Sequence, residues 1–249
     1  MKGARTKAGI LDRAVDLASL EGLEGVSIGR LADDLAMSKS GLFAHFGSKE
    51  ELQLATIAAA EQRFVDEVVR PAFAAPRGYP RLAALCRSWL AYLERRVFPG
   101  GCFFAAASFE FDGRSGKVRD AVQLAMDEWI ATLEKAVRLA KQQGHLRRAV
   151  DPAQIAFELN SLFFGANFAF NLRGDPMAFR HAAKAIDERL RSLRVKSSLK
   201  SSAPRRTEPR RASQRAPHPA PKPRGTHRRS SIPSRSSRPT PRRGRSAAT

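Results

Sequence analysis

Between Ser27 and Phe46 the sequence leaves room for two short helices, one tight turn and little else. Ser27 is a good N-cap, because a serine hydroxyl accepts an amide proton that the first helical turn leaves unpaired. Ile28, Leu31, Ala32 and Leu35 then share one inward face at helical spacing. Ala36 and Met37 mark a turn, and Ser38 offers a second cap ahead of Leu42 and Phe46, which form the next buried face. Gly47 closes that helix. Ser48-Lys49-Glu50-Glu51 follows with the pattern of a capping box, in which a serine and a glutamate each satisfy an amide of the other's residue. Two short helices joined by a turn of roughly three or four residues are a helix-turn-helix, whose second helix enters the DNA major groove while the first crosses the backbone. Capped pairs of this kind also occur in bundles that never meet DNA, so geometry alone leaves both readings open.

The rest of the chain carries the same helical period. Ile10, Leu11, Ala14, Val15, Leu17 and Ala18 predict a first helix over about 5–21, stopped by Gly22. A fourth helix runs from the capping box to about Arg70, where Pro71 removes a donor and ends it. Further helices are predicted over about 80–97, 102–111, 116–143, 152–172 and 176–194, separated by breaks such as Pro99-Gly100-Gly101 and Gly174-Asp175-Pro176. With strand-forming clusters scarce, the reading is an all-α protein of about nine helices.

Net charge is +20, but it is unevenly placed. Sixteen of the 44 Lys and Arg residues, against only Glu208 of the 24 acids, fall in 195–249, a segment of Ser, Pro, Arg and Ala with Val195, Leu199 and Ile232 as its aliphatic anchors. Such a composition cannot bury enough apolar surface to offset ordering entropy, so it reads as a disordered basic tail. Its arginines would add salt-dependent, sequence-independent affinity for DNA, or the tail is a solvated appendage without a role. Residues 1–50 balance seven basic against seven acidic side chains, so any DNA reading there rests on pattern. Cys86 and Cys102 form no CxxC pair, which argues against a zinc site or disulfide framework. Asp12, Arg13 and Asp16 break up any signal-peptide core, and the most apolar window, 161–170, is far short of the roughly 20 residues a membrane span needs. The chain reads as cytoplasmic, with no membrane partner.

Taken whole, the string from Ser27 to Leu52 resembles the signature of the TetR family of bacterial one-component regulators. The serine cap, the Leu31-Ala32 pair, the small-residue turn, the Phe43-Ala44-His45-Phe46 recognition helix and Ser48-Lys49-Glu50-Glu51-Leu52 agree with it in order and spacing. With the first helix and the start of the fourth, the resemblance covers about 5–65. It implies a DNA-binding domain over 5–65, with its motif at 27–46, and a variable ligand-binding and dimerisation domain over 66–194. It implies that Ser38, Lys39, Ser40, Gly41, Phe43 and His45 line the groove-facing side, that Lys49 takes a phosphate, and that Ser27 and Arg30 anchor the second helix to the backbone. Phe43 stands where many relatives carry a tyrosine, so a phenolic bond to phosphate is missing, and Gly41 shortens the reading surface. On the residues alone, His45 is either a DNA contact or a packed helix residue, and Lys39 and Lys49 are either phosphate contacts or ordinary solvated lysines.

The resemblance also implies that the last two long helices form a four-helix interface with a second copy. Asp151 and Pro152 suit a helix start. Ile155, Leu159, Leu162, Phe163, Ala166 and Phe170 make one apolar stripe, which Phe157, Phe164 and Phe168 widen, while Phe179, Ala182, Ala183, Ile186, Leu190 and Leu193 face inward from the last helix. Trp89, Tyr92, Phe103, Phe104 and Trp129, with Asn167, are the candidate lining of a cavity for an apolar or aromatic effector; core packing is the alternative. Asn160, Asn167 and Asn171 share a face and serve a pocket or an interface. Cys102, near a helix start, is either a thiolate favoured by the dipole or a buried, inert thiol.

The expectation is a sequence-specific, ligand-responsive homodimeric repressor of a palindromic operator, with double-stranded DNA, a second copy and a small effector as partners and no cofactor or metal. An enzyme is disfavoured by the lack of a metal-ligand pair, a phosphate-cradling glycine loop or a catalytic setting for the remaining histidines. The basic tail keeps a nucleoid-type coating protein as the rival binding function.

Overall fold

Local capping chemistry sets the first half of the molecule. α1 (Lys2–Glu21) ends where Gly22 takes φ +86° and donates its amide to the Ala18 carbonyl at 3.0 Å. α2 (Ile28–Asp34) starts on Ser27, whose Oγ accepts the Arg30 amide at 3.2 Å, and α3 (Lys39–Phe46) starts on Ser38, whose Oγ accepts the Gly41 amide at 3.1 Å. Between them Ala36 sits at φ +51°, a left-handed conformation that costs an L residue roughly 1–2 kcal/mol. The turn is held by the Met37 amide, which reaches back to the Ala32 carbonyl at 3.0 Å.

The computed structural model describes residues 2–195, so the basic tail beyond Val195 lies outside the described residues. α4 (Lys49–Phe64) begins on Ser48, whose Oγ accepts the Glu51 amide at 3.1 Å. Among the described residues the return bond from the Glu51 carboxylate is not made, so only half of the capping box forms. The helix does not stop at Arg70. It widens into a π-helical turn, Val65–Val69, and resumes as α5 (Arg70–Phe73). A proline lacks a donor and clashes with the carbonyl four residues back, but here the Arg70 amide bonds five residues back, to Val65. Pro71 then lies in the first turn of the renewed helix, where no donor is required of it.

α6 (Tyr79–Glu94), α7 (Phe103–Phe111), α8 (Lys117–Gln142), α9 (Pro152–Asn171) and α10 (Ala178–Leu193) complete the chain's described part. α6 ends a turn earlier than the spacing predicts, and Arg96 just beyond it takes φ +51°. With 49–73 counted as one continuous run, the described residues hold the expected nine helices and no strand.

The head is a three-helix core in which Ile10, Ala14, Val15, Leu17 and Ala18 of α1 are buried along with Leu31, Leu42, Phe46 and Leu52; Leu35, expected in that core, is only half-buried against it. The body is centred on aromatic rings. Phe64 meets Tyr92, Phe104 and Trp129 edge-on at 5.5, 5.9 and 5.1 Å, and Trp89 stacks on Phe163 at 4.2 Å. Pairs of this kind contribute about 0.5–1.5 kcal/mol each beyond the area they bury. α9 and α10 pack against each other, and Arg189 crosses to Glu158 at 2.9 Å.

Candidate nucleic-acid interface and cavity

α3 divides cleanly into two faces. Leu42 and Phe46 are buried, while Ser38, Lys39, Ser40 and Phe43 are exposed, Phe43 by 55%. Gly41 and His45 are half-buried, and the His45 imidazole tilts against Phe46 with ring centroids 6.2 Å apart. The Lys39 ammonium lies over Gly29 of α2 and has no carboxylate partner among the described residues. Lys7 of α1, which the sequence reading did not single out, places its ammonium 5.4 Å from the Phe46 ring centroid.

Arg30 and Lys49 are differently placed. Arg30 is engaged by Glu21 at 2.6 Å and Asp34 at 3.5 Å, and Lys49 donates to Glu24 at 2.6 Å. The hydrogen bond from Arg30 holds the Glu21 carboxyl below its usual range, that from Lys49 does the same for Glu24, and the Arg13 guanidinium does so for Asp34. These pairings occupy Glu21, Glu24 and Asp34 with Arg30, Lys49 and Arg13, and leave the Lys39 ammonium without a carboxylate among the described residues. Ser27 is occupied as the cap of α2.

α7 joins head and body. Glu110, near its C-terminal end, accepts the Leu23 amide at 2.7 Å and the Glu24 amide at 2.8 Å, two adjacent backbone donors of the loop that leads into α2. A Cβ at Gly22 would lie 3.0 Å from a Glu110 carboxylate oxygen. At the other end of α7 the Gly100 amide donates to Ser19 Oγ at 3.1 Å, and a Cβ at Gly100 would stand 1.7 Å from the Ser19 carbonyl. The second half of the Pro-Gly-Gly break therefore allows the body to touch α1 backbone to backbone.

A cavity of about 120 Å³ lies in the body, walled by α4, α6, α8 and α9 and by the start of α7. Of the ligand candidates read from the sequence, Trp89, Phe104 and Trp129 line it, while Tyr92, Phe103 and Asn167 do not. Tyr92 and Phe103 are core residues, each 1% exposed. Asn167 instead accepts the Cys102 amide at 3.0 Å and is held by Asn171 Nδ2 at 2.8 Å, so this pair fixes the turn before α7. Asn160, the third of that series, does face the cavity, and its Oδ1 is buried without a donor. The sequence reading missed Glu61, Phe64, Met126, Glu128 and Phe164 in the wall, whose apolar members read only as core period.

Cys102 caps α7 and is buried beside Tyr92. Burial pushes its thiol up, outweighing the amides of Ala105 and Phe104 that pull the other way, and burial pushes the Cys86 thiol up to about 12. Both are inert thiols, and the thiolate reading of Cys102 falls to desolvation. No group of three or more potential metal ligands occurs among the described residues, nor is any described helix long and apolar enough to cross a membrane.

A capped two-helix motif with one face free, set on a helical body with an internal cavity, defines a helix-turn-helix regulator. The comparisons agree. Residues 10–56 match the family model for bacterial regulatory proteins of the tetR family, and 78–186 match the tetracyclin repressor-like C-terminal domain. The chain belongs to the TetR family of DNA-binding transcriptional regulators. Its fold is shared by a TetR regulator from Chloroflexus aurantiacus (TM-score 0.73, 23% identity, covering 78% of this chain and 98% of that one). A TetR-family regulator from Cytophaga hutchinsonii is similar (0.70, 20%, 79% and 98%). So is AibR, solved with isovaleryl coenzyme A and operator DNA (0.57, 24%, 74% and 96%). No curated protein matches the chain.

Proposed function

We propose that this chain is a cytoplasmic homodimeric repressor that binds a palindromic operator through α3 and releases it when a small apolar or aromatic effector enters the body cavity. The observation that carries this reading is α7, which touches both places: Cys102 and Phe104 at its start wall the cavity, and Glu110 near its end holds the backbone amides that set the entry to α2. A ligand that displaces the start of α7 has a direct route to the orientation of the recognition helix. Release demands only that the ligand bind the DNA-incompetent arrangement more tightly than the competent one. AibR, with both an acyl coenzyme A and operator DNA in its crystal, is a precedent for two such ligands on one fold.

Dimerisation is supported by α9. Phe157, Phe168 and Leu172 are 68, 54 and 73% exposed and lie on one stripe with Ser161, Phe164 and Gly165. An apolar stripe of this length on a lone subunit marks a contact surface, and small residues between the rings let a second helix approach. With recognition helices paired by this surface, half-sites fall about one helical turn apart, roughly 34–36 Å, or a multiple.

The test is to screen small molecules for thermal stabilisation of the full chain and then add each hit to a preformed complex with operator DNA. At least one stabilising ligand is expected to dissociate the complex. If every stabilising ligand leaves DNA affinity unchanged, the coupling is refuted.

A further inference from the structure

The cavity is one-sided in charge. Glu61 of α4 and Glu128 of α8 both contribute to its wall, and neither carboxylate has a basic partner among the described residues. Two further polar atoms in the wall are unmet. Trp129 is 8% exposed, yet its Nε1–H finds no acceptor, and the buried Asn160 Oδ1 finds no donor. Buried polar atoms are ordinarily paired, so the idle indole donor and the idle amide acceptor call for a guest, and the half-buried Glu61 with the exposed Glu128 sets a negative edge beside them. Apart from Cys102 and Thr132 the remaining wall is aromatic or aliphatic, with Phe64, Trp89 and Phe104 prominent.

We propose that the effector of this chain is a small amphipathic monocation: an apolar body of about one aromatic ring carrying an amine that is protonated at neutral pH. This deepens, and rests on, the reading of the cavity as the effector site. The ammonium donates to the Glu61 and Glu128 carboxylates and to Asn160 Oδ1, the ring fills the space beside Phe64, Trp89 and Phe104, and Trp129 Nε1–H meets an acceptor on the ligand where one is present. A cavity of about 120 Å³ is close to the roughly 150 Å³ that holds benzene. A neutral guest leaves the carboxyl pair without a cation, and an anionic guest adds negative charge beside it.

The electrostatics of the two carboxyls support the assignment. Burial, followed by the neighbouring Glu128, holds the Glu61 carboxyl above its usual range. Glu128 is the charged group that faces it from α8; on the α1 side Asp12 and Asp16 are already taken by Arg63. A carboxyl raised in the folded state contributes stability at low pH and loses it as pH rises through that raised value. Ionisation of Glu61 beside Glu128 therefore works against the fold, and a bound cation relieves it.

The test uses three probes of closely similar bulk, benzylammonium, benzyl alcohol and benzoate, titrated against the full chain and against Glu61→Gln and Glu128→Gln. The ammonium is expected to bind and raise Tm, the alcohol to bind about tenfold or more weakly, and the carboxylate to bind weakest. Glu61→Gln is expected to melt higher than the parent without ligand, which shows that it folds, and to lose the preference for the ammonium. Equal or tighter binding of the alcohol or carboxylate overturns the charge assignment while leaving the cavity as an effector site. Full retention of the ammonium preference in both Gln variants also overturns it. Binding of none of the three overturns both readings.

Discussion

Lys39 and Lys49 are both lysines of the DNA-binding motif, yet the structure gives them different resources. Lys49 is held by Glu24, which is also within 3.1 Å of Arg114, so any phosphate it takes must first displace a carboxylate. Lys39 needs no such exchange. Replacing Lys39 or His45 with Ala is expected to weaken operator binding by about 1–3 kcal/mol where a base contact is lost. Fluorescence anisotropy on a labelled operator, with Tm as the check on folding, measures it; unchanged affinity in both variants rules out the residue assignments. The caps at Ser27, Ser38 and Ser48 were legible from sequence because hydroxyl and amide lie three residues apart. The engagement of Arg30 by Glu21 and of Lys49 by Glu24 was not, because those partners sit nine and 25 residues away, outside the helices of the two basic residues.

Among the elements, α7 does what no sequence pattern announced. Its phenylalanines read equally as core or cavity, and they divide: Phe104 lines the cavity and Phe103 packs behind it. Glu110 carries no local signal in the sequence, since its two amide partners lie 87 and 86 residues earlier in the chain. Glu110→Gln leaves one oxygen to serve two amides and turns an N–H toward the loop, a change expected to cost about 1–3 kcal/mol of stability. The more telling expectation is functional: the variant still binds operator, but a saturating effector shifts its DNA affinity several-fold less than in the parent. Equal shifts in parent and variant would show that the signal does not travel through this contact. Pro71 teaches the complementary lesson. The rule that proline ends a helix holds for the α-helical ladder, and a wider turn beginning at Val65 carries the chain past it.

At the scale of the whole molecule, the account depends on two copies acting together. The nine-helix order was readable from period and breaks, because each helix announces itself over a few turns. Which apolar face of α9 turns inward was not readable, since that helix is apolar on more than one side. The structure resolves it: Ile155, Leu159 and Phe163 are buried within the subunit, and Phe157, Phe168 and Leu172 are left outside. Phe168→Asp places a charge on that outer stripe and is expected to yield a folded monomer by sedimentation velocity, with operator binding lost; a variant that stays dimeric assigns the interface elsewhere.

Selection of bound sequences from a pool of random duplexes, using the purified full chain, separates operator recognition from uniform coating of DNA. A homodimer with paired recognition helices enriches one pseudo-palindrome whose half-sites are separated by about one helical turn or a multiple of it. Recovery of sequences with no shared motif, bound uniformly along every duplex, would contradict it and identify the chain as a coating protein.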